Sequence, residues 1–128
     1  MTESGGTVLY IEDNPLNMAM MHHIFRKNFP DVRLLGAETG EKGLEAVRTH
    51  RPKLVILDIG LPGIDGYEVL RRLREQEESA GIPVLAISAF AEESDISRAS
   101  QADFAAYVTK PIEIRSFTRL VEELLDIR

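Results

Sequence analysis

Apolar residues along this chain come in two rhythms. Five short runs, 7–11 (TVLYI), 32–37 (VRLLGA), 54–58 (LVILD), 83–88 (PVLAIS) and 105–108 (AAYV), are almost continuously apolar, as strands are when both faces of a parallel sheet are covered. Between them apolar positions recur at helical spacing: Leu16, Met20, Met21, Ile24 and Phe25; Leu44 and Val47; Val69, Leu70 and Leu73; Phe117, Leu120, Val121, Leu124 and Leu125. Each set predicts an amphipathic helix with one buried stripe. The segment 92–101 (EESDISRASQ) fills the remaining interval, with only Ile96 and Ala99 apolar and three serines inside it. It is expected to be the least stable helix, because helices in proteins are held mainly by packing. Five rounds of strand then helix predict an α/β fold, a doubly wound five-stranded parallel sheet with right-handed crossovers.

Length and charge narrow the picture. At 128 residues the chain has the size of one domain with one core; residues 1–6 are expected to be a flexible N-terminus and 7–128 the domain. With no cysteine, disulfides and thiolate metal sites are excluded. No apolar run approaches a membrane span and the N-terminus lacks signal-peptide character, so a cytoplasmic protein without membrane contact is expected. Against 21 acidic residues there are 15 Lys and Arg, giving a net charge of -6, and no basic cluster to neutralise phosphates. Direct nucleic-acid binding is not expected.

In open α/β sheets ligands bind beyond the carboxyl ends of the strands. There the sequence places Glu12-Asp13 after the first strand, Asp58 at the end of the third, Ser88 at the end of the fourth and Lys110-Pro111 after the fifth. Asp65, followed by Gly66, Tyr67 and Glu68, reads as a helix N-cap, and Leu61-Pro62-Gly63 before it as a type II turn. Asp58 has no such structural explanation, because it completes a strand and no helix starts directly behind it. If the first and fourth strands flank the third, strand ends about 4.8 Å apart bring Glu12, Asp13 and Ser88 beside Asp58, while Lys110 reaches in from two strands away. Carboxylates packed so closely repel unless a cation sits among them, and Mg2+ suits carboxylate and carbonyl oxygens and bridges to phosphate. A carboxylate nucleophile, a hydroxyl, an ammonium and a hard-cation site suit phosphoryl transfer onto Asp58.

Over essentially its whole length the chain resembles the receiver domains of two-component response regulators. The motifs YIEDN, ILDIGLPGIDG, LAIS and YVTKP carry the resemblance, in the family's order, and are closest to single-domain receivers and those of hybrid kinases. It implies the flavodoxin-like (β/α)5 fold with strand order 2-1-3-4-5. It implies Asp58 as phosphoacceptor, with Lys110 and Ser88 assisting, and a Mg2+ site formed by Glu12, Asp13, Asp58 and the Gly60 backbone carbonyl. Ser88 and Tyr107 become a switch pair, and Lys110-Pro111 a cis peptide. The implied partners are a histidine kinase or histidine phosphotransfer protein and a downstream effector protein, with the receiver a monomer or weak dimer. One departure is QADFAAY before the switch tyrosine, where the family has a glycine-containing turn; Asp103 stands in for that glycine, a residue type able to take the left-handed conformation at some cost, and the end of the preceding helix is expected to shift.

Two other functions share parts of this constellation. A Mg2+-dependent aspartyl-phosphate phosphatase uses the same nucleophile but carries a second acid two residues later, where this chain has Gly60; a degenerate receiver scaffold would lack some of the five chemical residues, all present here. The chain stops shortly after its last helix, so no output domain is expected. His22 and His23 are adjacent on a helix and point about 100° apart, which rules against a shared metal. Met20 and Met21 are expected in the core, leaving Met18 as a candidate docking residue.

Overall fold

A computed structural model describes residues 6–89, 97–98 and 101–126. Strands β1 (Thr7–Ile11), β2 (Arg33–Ala37), β3 (Leu54–Asp58), β4 (Val84–Ser88) and β5 (Ala106–Thr109) alternate with helices α1 (Pro15–Asn28), α2 (Gly40–His50), α3 (Gly66–Glu75) and, after β5, α4 (Ile114–Leu125). All strands pair in parallel in the order β2-β1-β3-β4-β5, the flavodoxin-like topology. Of the helix expected at 92–101, Ser97, Arg98 and Gln101 are described and helical; the rest of that segment lies outside the described residues. So does the expected loose N-terminus, except Gly6, whose carbonyl accepts from the Arg33 N–H at 2.9 Å.

Alternation along β1 sorts the core into two layers. Val8 and Tyr10 face Met21, Ile24 and Phe25 of α1 and Phe117 and Val121 of α4. Leu9 and Ile11 face Val47 of α2 and Val69, Leu70 and Leu73 of α3. β3 and β4 lie beneath both layers and are buried at every position, which is why they read as continuous apolar runs.

Caps fix where the helices begin. Asn14 accepts from the backbone N–H groups of Leu16 and Asn17 with Pro15 in the first turn of α1, Thr39 accepts from Lys42 for α2, and Asp65 accepts from Glu68 at 3.0 Å for α3. Gly63 has φ +75°, the value the third position of a type II turn demands.

Helix α1 corrects one expectation. Met21 is buried, but Met20 is 58% exposed and Leu16 77%, while Met18 packs partly buried against the core. Each four-residue step overshoots a full turn by about 40°. The series Ile24, Met20, Leu16 therefore drifts progressively off the stripe centred on Met21 and Phe25.

Candidate functional site

The carboxyl ends of β1, β3, β4 and β5 converge. One oxygen from each of Glu12, Asp13 and Asp58 lies within 4.8 Å of the others. Glu12 and Asp58 are buried, at 2% and 8% exposure, whereas Asp13 is exposed. The Lys110 Nζ sits between the buried pair, 3.5 Å from Asp58 Oδ2 and 3.7 Å from Glu12 Oε1. One strand, β4, lies between β3 and β5, so a side chain as long as lysine's is needed to bridge the gap. The peptide bond between Lys110 and Pro111 is cis.

Asp58 is held from both sides. Its Oδ1 accepts the Gly60 N–H at 3.0 Å, and the loop behind it closes where Gly66 N–H donates to the Ile59 carbonyl at 3.1 Å. A Cβ at Gly66 would fall 2.7 Å from Ile59 Cα and 3.3 Å from the Asp58 carbonyl oxygen, so only glycine lets α3 start this close to the acidic cluster. Asp65, seven residues along from Asp58, spends its carboxylate on the α3 cap. Ser88 is buried, and with Tyr107 and Gly60 it lines a cavity of ≈ 290 Å³ beside this loop.

Two residues absent from the sequence reading complete the setting of Glu12. Tyr10 Oη donates to Glu12 Oε1 at 3.0 Å, Asn17 Nδ2 donates to the same oxygen at 3.1 Å, and the Asn14 backbone N–H donates to Oε2 at 3.1 Å. Burial, reinforced by the neighbouring Glu12 carboxylate, pushes the Tyr10 phenol well above its ordinary pKa, which keeps it a donor. The available signal was positional: residues 10 and 12 share one face of a strand.

Asp103 is the second correction. Among the described residues the non-glycine positions with positive φ are Arg51 and Asp126, so Asp103 is not left-handed. Its carboxylate instead meets Arg74 Nε at 2.6 Å, and the same guanidinium donates to the carbonyls of Asp103 at 3.2 Å and Ile82 at 2.8 Å. The end of α3 thereby ties down the entry to β5 through side-chain pairing.

The arrangement is a cleft of hard oxygen donors around one buried carboxylate at a strand end, Asp58, with an ammonium beside it. Among the described residues no helix is long and apolar enough to cross a membrane. Residues 8–122 match the response regulator receiver domain family. The polar-differentiation response regulator DivK of Brucella anthropi is 34% identical over 119 residues, 93% of this chain and 95% of that protein. Among solved structures, the receiver domain of a sensor histidine kinase from Pseudomonas aeruginosa, with magnesium coordinated in its active-site cleft, superposes with TM-score 0.86 at 26% identity, covering 96% of this chain and 99% of the other. The signal receiver domain of a histidine kinase from Syntrophus aciditrophicus gives the same TM-score and identity over 94% and 90%. With fold, strand order and cleft in agreement, the chain belongs to the response regulator receiver domain family.

Proposed function

We propose that the protein is a phosphorylation switch that takes a phosphoryl group onto Asp58 from the phosphohistidine of a histidine kinase or phosphotransfer protein. The observation that carries this reading is the placement of Asp58, buried at a strand end with Lys110 Nζ at 3.5 Å. An Asp58 carboxylate oxygen attacks phosphorus, the bond from phosphorus to the donor nitrogen breaks, and its electron pair leaves with the imidazole, giving an acyl phosphate. Lys110 offsets the charge on the phosphoryl oxygens, and Ser88 donates to one of them. The donor set fits magnesium: one oxygen from each of three carboxylates lies within 4.8 Å of the others, with no imidazole or thiolate in the cluster, and the Gly60 carbonyl would add a further oxygen. When bound, magnesium neutralises the crowded carboxylates and the incoming phosphoryl oxygens.

The acyl phosphate is then lost to water, which makes the chain a timed switch and not a turnover enzyme. Ser88 moving to the phosphoryl group frees space for the Tyr107 ring, and that repacking alters the surface met by an effector protein. Met20 and Ile114, both exposed, flank a groove of ≈ 570 Å³ that opens beside Lys110, where the phosphodonor protein has apolar surface to grip. The test uses acetyl phosphate with Mg2+. The parent chain should take up close to one phosphoryl group per molecule, a chelator should stop uptake, and Asp58→Asn should abolish it while the fold persists. Labelling of the variant, or release of phosphate over many rapid turnovers, would overturn the proposal.

A further inference from the structure

Glutamate at position 12 raises a problem that the hydrogen bonds around it resolve. Its side chain is one methylene longer than aspartate, yet one of its oxygens lies within 4.8 Å of those of Asp13 and Asp58. The carboxylate is fixed there by donors from its own strand and from the start of α1. Oε1 receives Tyr10 Oη at 3.0 Å and Asn17 Nδ2 at 3.1 Å, with Lys110 Nζ at 3.7 Å. Two donors match the two lone pairs of a carboxylate oxygen, so Oε1 has no capacity left for a cation. Oε2 accepts one bond, from the Asn14 backbone N–H at 3.1 Å, and retains one position.

We propose that Tyr10 and Asn17 are positioning residues for the cation site, turning Glu12 so that Oε2 alone serves the cation and leaving Asp13 and Asp58 to supply the other carboxylate oxygens. The inference rests on the reading of Asp58 as a Mg2+-dependent phosphoacceptor and adds to it a reason why a glutamate works here. Tyr10 is 1% exposed, rooted between α1 and the sheet. Asn17 lies in the first turn of α1, whose start is set by Asn14. The cation site is thereby coupled to the start of α1 through the Asn17 side chain and the Asn14 backbone N–H, both bonded to Glu12.

A buried tyrosine hydroxyl needs a partner in any case, so the test must separate positioning from satisfaction. It is a double-mutant cycle read by Mg2+ titration calorimetry in the absence of phosphodonor. Tyr10→Phe should weaken Mg2+ binding about three- to tenfold, and Asn17→Ala by a similar factor, with thermal unfolding still cooperative. In a Glu12→Asp background the shorter carboxylate no longer reaches Tyr10, and Tyr10→Phe should leave Mg2+ affinity unchanged. Equal losses in both backgrounds, or no loss in the parent, would overturn the positioning role. Failure of the underlying reading looks different, since the parent itself would then bind no Mg2+ and accept no phosphoryl group, and both proposals would fall.

Discussion

On α3, Glu68 lies 2.5 Å from Arg71 and 2.8 Å from Arg72, and Arg71 also pairs with Glu75. Across the sheet, Lys110 stands farther from its partners, 3.5 Å from Asp58 and 3.7 Å from Glu12. Length alone would rank the helix cluster as the stronger. Burial reverses the order. Arg71 is 56% exposed, so water screens its pairs and competes for every donor; such pairs contribute little. Glu12 is almost wholly enclosed, and a charge there cannot be handed back to solvent if its partner is lost. The helix cluster follows automatically from i,i+3 and i,i+4 spacing, whereas residues 12, 58 and 110 meet only because five strands stack in one order.

Lys110→Ala should therefore produce the largest change. Phosphoryl uptake from acetyl phosphate should slow on the order of 10²-fold, the usual effect of deleting one donor to a developing anion. Once the label is in place, the NMR signals of Tyr107 should fail to shift as they do in the parent. A rate and a Tyr107 response like the parent's would erase the contrast between the two clusters.

Arg74 falls between the extremes. It is largely buried and pairs with the exposed Asp103, yet it also donates to the carbonyls of Ile82, Ser79 and Asp103. Removing it in Arg74→Ala strips several acceptors and should cost about 1–2 kcal/mol in urea unfolding. Asp103→Ala removes only a solvated carboxylate and should cost less than half as much. Equal costs would mean that the ion pair, and not the carbonyl contacts, holds the entry to β5.

The smallest effect belongs to the helix cluster itself. Hydrogen bonds from Arg71 and then Arg72 pull the Glu68 carboxyl from its ordinary 4.5 down to about 2. A depressed folded pKa adds stability that is fully present above pH 4.5 and is lost as pH falls toward 2. The Tm difference between parent and Glu68→Gln should accordingly be slight at pH 6, shrink below pH 4.5 and be nearly gone at pH 2. A difference undiminished at pH 2 would assign the effect to packing.

What the sequence disclosed divides along the same line. β1 and β3 were legible to the residue, because a continuous apolar run ending in a carboxylate has few other readings. The α3 cap was legible from the Asp65 to Glu68 spacing. Contacts that join distant segments were not. Nothing local in Arg74 announces Asp103, and a glycine-like conformation was the natural expectation for an aspartate in that turn. Tyr10 read as one more strand residue, since its bond to Glu12 depends on how the two side chains meet and not on residue type. The exposure of Met20 was hidden by a pattern that treats i+4 steps as lying on one line.

Gly66 sets a limit of another kind, on how the gene can be edited. Its amide closes on the Ile59 carbonyl, its missing Cβ leaves 2.7 Å to the Ile59 Cα, and the next helix is capped by the residue before it. The path from Asp58 to α3 is thus a ring of fixed circumference. One residue added or removed between 59 and 65 must either open that ring or drag the Asp58 carboxylate with it. The turn on the far side of α3 tolerates a different edit: its backbone is tied through Arg74 to Ser79 and Ile82, but a side chain at Gly81 would meet nothing within 4 Å. A substituted residue carrying a fluorophore belongs there, at the amino-terminal side of the sheet, where it changes no chain length and does not touch the cleft.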